Sequence, residues 1–482
     1  MPLRRCLCLF ALLLTVTPAR ADVTPDEVVV IVNESSAISM AIGNYYSLVR
    51  GVPASNLCIL PSGTSTSETI NRATYNTQIR DVVKAFLDGT GLKDQVHILV
   101  TTKGVPLRVA GSQGSGTNTN AASVDSELTQ LYTDEVPDEG QQGRIPNPFR
   151  DRIVPFDEFT FRVRISYLVT RLTGYQTDVD PVTGVPIDIL NLIDRSQTPA
   201  SADLGNFVFD VDSSKSGGYE SGTNWLNTSA EKMTNWSFPV IHEQTTTFAR
   251  DIPSILLYAG WGSNDCCDPG PPYYGEIPAG SGTIFPGTFL PGSITTTFVS
   301  TSARTFTDGS QGYGQSLSAD LIRQGACGAA GHVYEPYLDA VSIPSRLVNA
   351  WGRGLPLAES YYSSIRYLSW MTVIVGDPLM KLDVAPTITN ITPNEGGFTG
   401  GTAVTITGTR FTLTDSRVFF GEEETVLTVV DDQTMIAESP AIVSDPGGAS
   451  PRLAGKTVDI RFESPRGNVV VPNAFTYLPP RK

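Results

Sequence analysis

The chain has 482 residues, enough for about three average domains or for one large and one small domain. Its 44 glycines and 34 prolines imply many turns, while 40% hydrophobic against 17% charged residues supplies a large core and excludes a disordered chain. A net charge of −15 opposes attraction to polyphosphate or anionic lipid, so nucleic acid is not an expected partner.

At the N-terminus, Arg4 and Arg5 precede an apolar run from Cys6 to Val16, and Ala19-Arg20-Ala21 places small residues where a signal peptidase reads. Residues 1–21 are therefore expected to be a signal peptide cleaved before Asp22, making the protein secreted, periplasmic or bound at the cell surface. No transmembrane segment is expected, because this run and every later one fall short of the about 20 apolar residues that a bilayer requires. Cleavage would remove Cys6 and Cys8 and leave Cys58, Cys266, Cys267 and Cys327, whose pairing the sequence does not choose. Neither a CxxC nor an HxxxH spacing is present, so no metal site is expected; any cofactor stays unknown.

Residues 22–384 read as an α/β domain. Val28 to Val32 is a continuous β-branched run, Ile38 to Val49 has helical apolar spacing, and Leu57 to Leu60 is a second apolar run, an order that implies a parallel pair. Further strands are predicted at Val96 to Val100, Phe207 to Val211, Ile255 to Tyr258, Cys327 to Val333 and Val373 to Val375. Helices are predicted near residues 76–87, 123–132, 315–324, 343–352 and 356–363. This alternation predicts a mainly parallel sheet with helices on both faces. The Gly-, Ser-, Pro- and Asn-rich stretches Ala110 to Asn120 and Asn264 to Gly292 read as surface loops.

From residue 385 the pattern changes. Helical periodicity ends and short β-branched runs such as Ala403 to Ile406 and Thr457 to Ile460 alternate with Gly-rich turns, which predicts a small all-β sandwich over residues 385–482. Burial of Ile388, Ile391, Val404, Ile406, Phe411 and Phe475 would hold it together. The segments Pro386 to Pro393, Gly400 to Phe411, Val418 to Gly421 and Asn473 to Tyr477 resemble an IPT/TIG immunoglobulin-like domain. That resemblance implies a binding or spacing role and no chemistry of its own.

In the larger part, Thr102 to Arg108, Val124 to Leu128, Tyr167 to Arg171, Gly260 to Asp265, Gly331 to Tyr337 and Val375 to Leu379 resemble a family of exported bacterial proteins without assigned function. At a greater distance, Tyr258 to Ser263, Gly328 to Gly331 and Gly376-Asp377-Pro378 are similar to gingipain-type cysteine peptidases of the caspase-like fold. The resemblance implies a His-Gly pair after one strand as general base and a Cys after the next as nucleophile. Here Trp261-Gly262 and Leu290-Pro291-Gly292-Ser293 stand at those places, so the dyad is not expected. A Cys327/His332 substitute is disfavoured, since a separation of five on a regular strand puts the two on opposite faces.

Function in parallel α/β sheets gathers at the carboxyl ends of the strands. Four predicted strands lead into polar motifs: Lys103 and Arg108; Trp261, Ser263, Asn264 and Asp265; His332, Glu335 and Asp339; and Asp377. In one sheet these would rim a common cleft, with His332, Glu335 and Asp265 as acid/base candidates and the others binding. Asp125 and Glu127 belong more simply to the helix start that Ser123 caps, and Gly376-Asp377-Pro378 to a turn. Asp210 and Asp212 alternate onto one sheet face and form a further carboxylate pair. Two functions follow: a surface or secreted protein binding an extracellular protein, peptide or glycan on a caspase-like scaffold, or a secreted peptide or glycan hydrolase using the His332, Glu335 and Asp265 rim.

Overall fold

The computed structural model describes residues 23–111, 121–133, 144–159, 165–263, 273–274, 283–308, 315–442 and 455–478. The expected signal peptide, with Cys266, Cys267, Asn264 and Asp265, lies outside the described residues. The chain divides into two compact units, one formed by residues 22–234 and 238–383 and one by residues 384–482 with residues 235–237.

The larger unit is built on a ten-stranded sheet. Its strands are β1 (Val28–Asn33), β2 (Leu57–Leu60), β3 (Ile98–Thr102), β4 (Leu168–Leu172), β5 (Asn206–Asp210), β6 (Val240–Glu243), β7 (Ile252–Gly260), β8 (Gly287–Thr297), β9 (Gly328–His332) and β10 (Thr372–Gly376). Every residue of β1 is buried, because helices cover both faces of the sheet. On one face α1 (Ala37–Arg50) approaches so closely that a Cβ on Gly43 would sit 2.2 Å from a Val32 methyl; only glycine fits there. On the other, Ile79 and the helix α2 (Asp81–Thr90), through Val83 and Leu87, pack with Val29, Ile31 and Leu99.

The strand order is β6-β5-β7-β8-β9-β10-β4-β3-β1-β2. Neighbours are parallel on both sides of the sheet, but β9 and β10 pair antiparallel, with Gly328 opposite Gly376 and His332 opposite Thr372. β10 is the exception: it leads into Asp377 beside Arg50, the last residue of α1 and so at the amino end of β1, and runs against the other strands. This corrects the expected carboxyl rim for Asp377. The carboxyl ends of β3, β7 and β9 fall on one edge of the sheet and that of β10 on the other.

Several elements differ from the sequence reading. The predicted helices near 123–132 and 315–324 shorten to α3 (Val124–Leu128) and α6 (Ser318–Arg323), with α4 (Ile187–Arg195) and α5 (Glu220–Asn235) unforeseen before the latter. The predicted helices at 343–352 and 356–363 are α7 (Pro344–Trp351) and α8 (Leu357–Ser364). The expected loop from Asn264 ends early, since β8 begins at Gly287. Leu290 to Ser293 therefore lie inside a strand rather than after one. Among the described residues no helix is long and apolar enough to cross a membrane.

The smaller unit has two sheets. The four-stranded one is ordered β11 (Thr387–Thr392), β13 (Ala403–Thr409), β17 (Thr434–Glu438), β16 (Leu427–Val429); the five-stranded one β12 (Glu395–Gly397), β19 (Gly467–Leu478), β18 (Lys456–Ser464), β14 (Arg417–Phe420), β15 (Glu423–Thr425). Val404, Ile406, Phe411, Phe420, Phe462 and Phe475 form the core between them. Ile388 and Ile391 are only partly buried because β11 is an edge strand.

Candidate functional site

β1 pairs with β2 on one side and β3 on the other, and the connections leave by opposite faces of the sheet. Such a reversal opens a crevice at the strands' carboxyl ends. A cleft of about 420 Å³ lies there, lined by Ser35 to Ile38 after β1, Glu68 after β2, Lys103 to Val105 after β3, Arg171 and Thr173 at the end of β4, and Phe306.

Asn33, fully buried as the last residue of β1, sets the mouth of this cleft. Its amide donates to the carbonyls of Ser65 at 2.9 Å and Gly104 at 2.8 Å, and its side-chain oxygen accepts from Ser35 N. One side chain thereby ties together the loops after β1, β2 and β3. Ser36 caps α1 by accepting from Ser39 N. Gly104 has φ +101° and packs against that cap, where a Cβ would come 2.3 Å from Ser36 Oγ.

Beneath the cleft, Arg171 and Asp125 form a buried ion pair at 2.6 Å, each no more than 2% exposed. Arg171 also donates to the carbonyls of Val105 and Pro106, both at 2.9 Å, and so fixes the loop that follows β3. Lys103 is 9% exposed; its ammonium donates to Gly174 O at 2.9 Å and Phe306 O at 2.6 Å. Burial lowers its pKa to about 8, with the Glu68 carboxylate opposing the shift.

Of the residues expected to share a rim, Lys103 after β3, Trp261 and Ser263 after β7 and His332 at the end of β9 lie on one edge, while Asp377 follows β10 on the other. Arg108, after the loop that follows β3, donates to Arg304 O and Val333 O and lies 5.5 Å over the Tyr334 ring. Together with Thr69, Thr301, Arg304 and Glu335 it lines a second cleft of about 540 Å³.

His332 lines neither cleft. It is 1% exposed, neither ring nitrogen meets a hydrogen-bond partner, and burial, opposed by the Ala340 backbone, pushes its pKa down to about 4. Trp261 is packed edge-on to Phe298 and Tyr219 and is 4% exposed, a core position. Ser263 is buried and bonds with Ser316. Asp339 pairs at the surface with Arg366.

Asp377 is enclosed by Tyr46, which donates at 2.8 Å, by Arg50, and by the Leu379 amide, the turn-stabilising arrangement expected of Gly376-Asp377-Pro378. Burial raises its pKa against the pull of Arg50. Ser123 caps α3 as expected, while Asp125 and Glu127 are taken up by Arg171 and Arg72. Asp210 accepts from Tyr258 and Ala249 in the interior, whereas Asp212 bonds Ser214 in a surface turn. Among the described residues no cluster of His, Cys, Asp and Glu is arranged to hold a metal ion.

Cys58 and Cys327 are free and buried. Burial pushes the Cys58 thiol up to about 12 and raises that of Cys327. Cys327 precedes β9 and His332 ends it, so they stand about 16 Å apart at opposite edges of the sheet.

Residues 386–463 match the IPT/TIG domain family and form an IPT/TIG domain. No curated protein matches the chain. Among solved structures, the full extracellular region of plexin A4 is similar at 19% identity over 23% of this chain and 10% of that one, with a TM-score of 0.16. A structural genomics protein of unknown function from Bacteroides thetaiotaomicron is similar at 17% identity over 20% of this chain and 21% of its own, TM-score 0.15. A putative phosphatase from the same organism is similar at 20% identity over 20% and 18%, TM-score 0.15. The chain thus spans about a tenth to a fifth of the length of these proteins.

Proposed function

We propose that the protein is an exported binding protein, in which the α/β unit takes a small ligand in the cleft between β1 and β3 and the IPT/TIG domain engages an extracellular protein, peptide or glycan. The observation that carries this reading is the cleft itself, floored by a buried ion pair and lined by a buried lysine at the reversal of strand order. The scaffold is of the caspase-like type on this reading, with the peptidase dyad lost. The wide separation of Cys327 from His332 and the apolar packing of Trp261 support that loss, since a thiol needs a base within about 3 Å to be activated.

A thermal-shift screen of small metabolites, run beside a fluorogenic peptide and glycoside panel, tests the proposal. A stabilising ligand whose effect disappears in Lys103→Met is the expected result. Peptide cleavage that is lost in a folded Cys327→Ala variant would return the thiol mechanism and remove this reading.

A further inference from the structure

The cleft between β1 and β3 holds hydrogen-bonding capacity that the protein leaves unused. Thr173 is 1% exposed, lines the cleft, and its hydroxyl has no partner. Lys103, nine-tenths buried, commits two of its three N–H bonds to carbonyls and keeps the third. Ala37 and Ile38 also line the cleft, and as first-turn residues of the 14-residue α1 their N–H groups have no intrahelical acceptor. The positive end of the helix dipole coincides with them.

Charge narrows the class of ligand. Glu68 lines the same cleft and accepts from Phe306 N at 2.7 Å through Oε1, leaving Oε2 available. Lys103 and Glu68 therefore stand in one cavity without pairing with each other. Arg171 contributes no free charge, being neutralised by Asp125. One cation and one anion do not balance a phosphate dianion, and a simple carboxylate would leave Glu68 uncompensated. A molecule carrying both charges satisfies both groups.

We propose that this cleft binds a zwitterion of the α-amino acid class, its carboxylate received by the start of α1, Thr173 and Lys103 and its ammonium by Glu68. This rests on the ligand-binding reading above and names the ligand. A volume of about 420 Å³ suits a molecule of that size.

Isothermal titration of the full chain at pH 7 with each of the twenty protein amino acids, and with acetate, ethylammonium and inorganic phosphate, tests it. At least one amino acid is expected to bind tenfold or more tighter than acetate and ethylammonium. Glu68→Gln, which keeps an acceptor for Phe306 N, should bring that amino acid down to the acetate level, and Lys103→Met should weaken it at least tenfold.

Thr173→Val supplies a variant whose folding is secure, because its hydroxyl has no protein partner to lose. It should melt no lower than the parent while binding the amino acid several-fold more weakly. Acetate binding as tightly as every amino acid, or phosphate binding best, overturns the zwitterion and leaves a ligand cleft. Absence of binding by the whole panel to folded protein overturns the zwitterion, and failure of the wider metabolite screen then removes the ligand-binding reading itself.

Discussion

A neutral imidazole sealed at the end of β9 makes His332 a liability in acid. Its native pKa of about 4 lies below the about 6.5 of an unfolded chain, so between those values the unfolded state binds a proton that the folded state refuses. The stability associated with the neutral ring is complete above pH 6.5 and is lost as pH falls toward 4. The loss amounts to at most about 1.4 kcal/mol per pH unit and about 3 kcal/mol in all. Urea unfolding at pH 7.0 and 4.5 should show the parent losing about 2–3 kcal/mol more than His332→Leu over that interval. Equal losses would mean that the ring titrates in water. His332 attracted notice in the sequence as a polar group at a strand end, and the sequence held no sign that the loop from Phe298 would cover it. Asn33 went unnoticed for the opposite reason. A lone amide closing the run Val28 to Val32 looks like the first residue of a loop, yet its hydrogen bonds reach the loops after three strands.

Among the elements, β1, α1 and β2 were legible because their patterns are unmixed, a β-branched run followed by helical apolar spacing. β4 was not, since Thr170 and Arg171 interrupt its apolar character although every residue of the strand is buried. Arg171 is tolerated there only with Asp125 beside it. Asp125→Ala would leave a guanidinium uncompensated in the interior and free the loop at Val105 and Pro106, with an expected loss of about 3–5 kcal/mol by denaturant unfolding. A loss under about 1 kcal/mol would show water reaching the arginine. α5 was missed because its buried face is made largely of Gly222, Ser229 and Ala230, residues that carry no strong hydrophobic period. β8 was missed because Pro291-Gly292 reads as a break. Strand direction is a different kind of gap. The side-chain alternation of Thr372 to Gly376 is the same whether its neighbour runs with it or against it, so the placement of Asp377 on the edge opposite the rest of the predicted rim was invisible.

At the scale of the whole molecule, the change of pattern near residue 385 proposes a domain able to fold alone. Residues 385–482 expressed separately should give a helix-free circular dichroism spectrum and a cooperative melt, supported by a core of four phenylalanines with Val404, Ile406 and Met435 between two sheets. An unfolded spectrum would sink the proposal. The larger unit has a different dependence on its chain order. β10 is the last of its ten strands to leave the ribosome, yet it takes a central place, between β4 from the first half of the chain and β9 from the second. Until residue 376 is available, the nascent protein consists of two half-sheets, each with a bare inner edge of the kind that pairs with foreign strands. Synthesis of the sheet's strands and assembly of the sheet therefore end on the same five residues, Thr372–Gly376, which act as the keystone joining two separately begun structures into one.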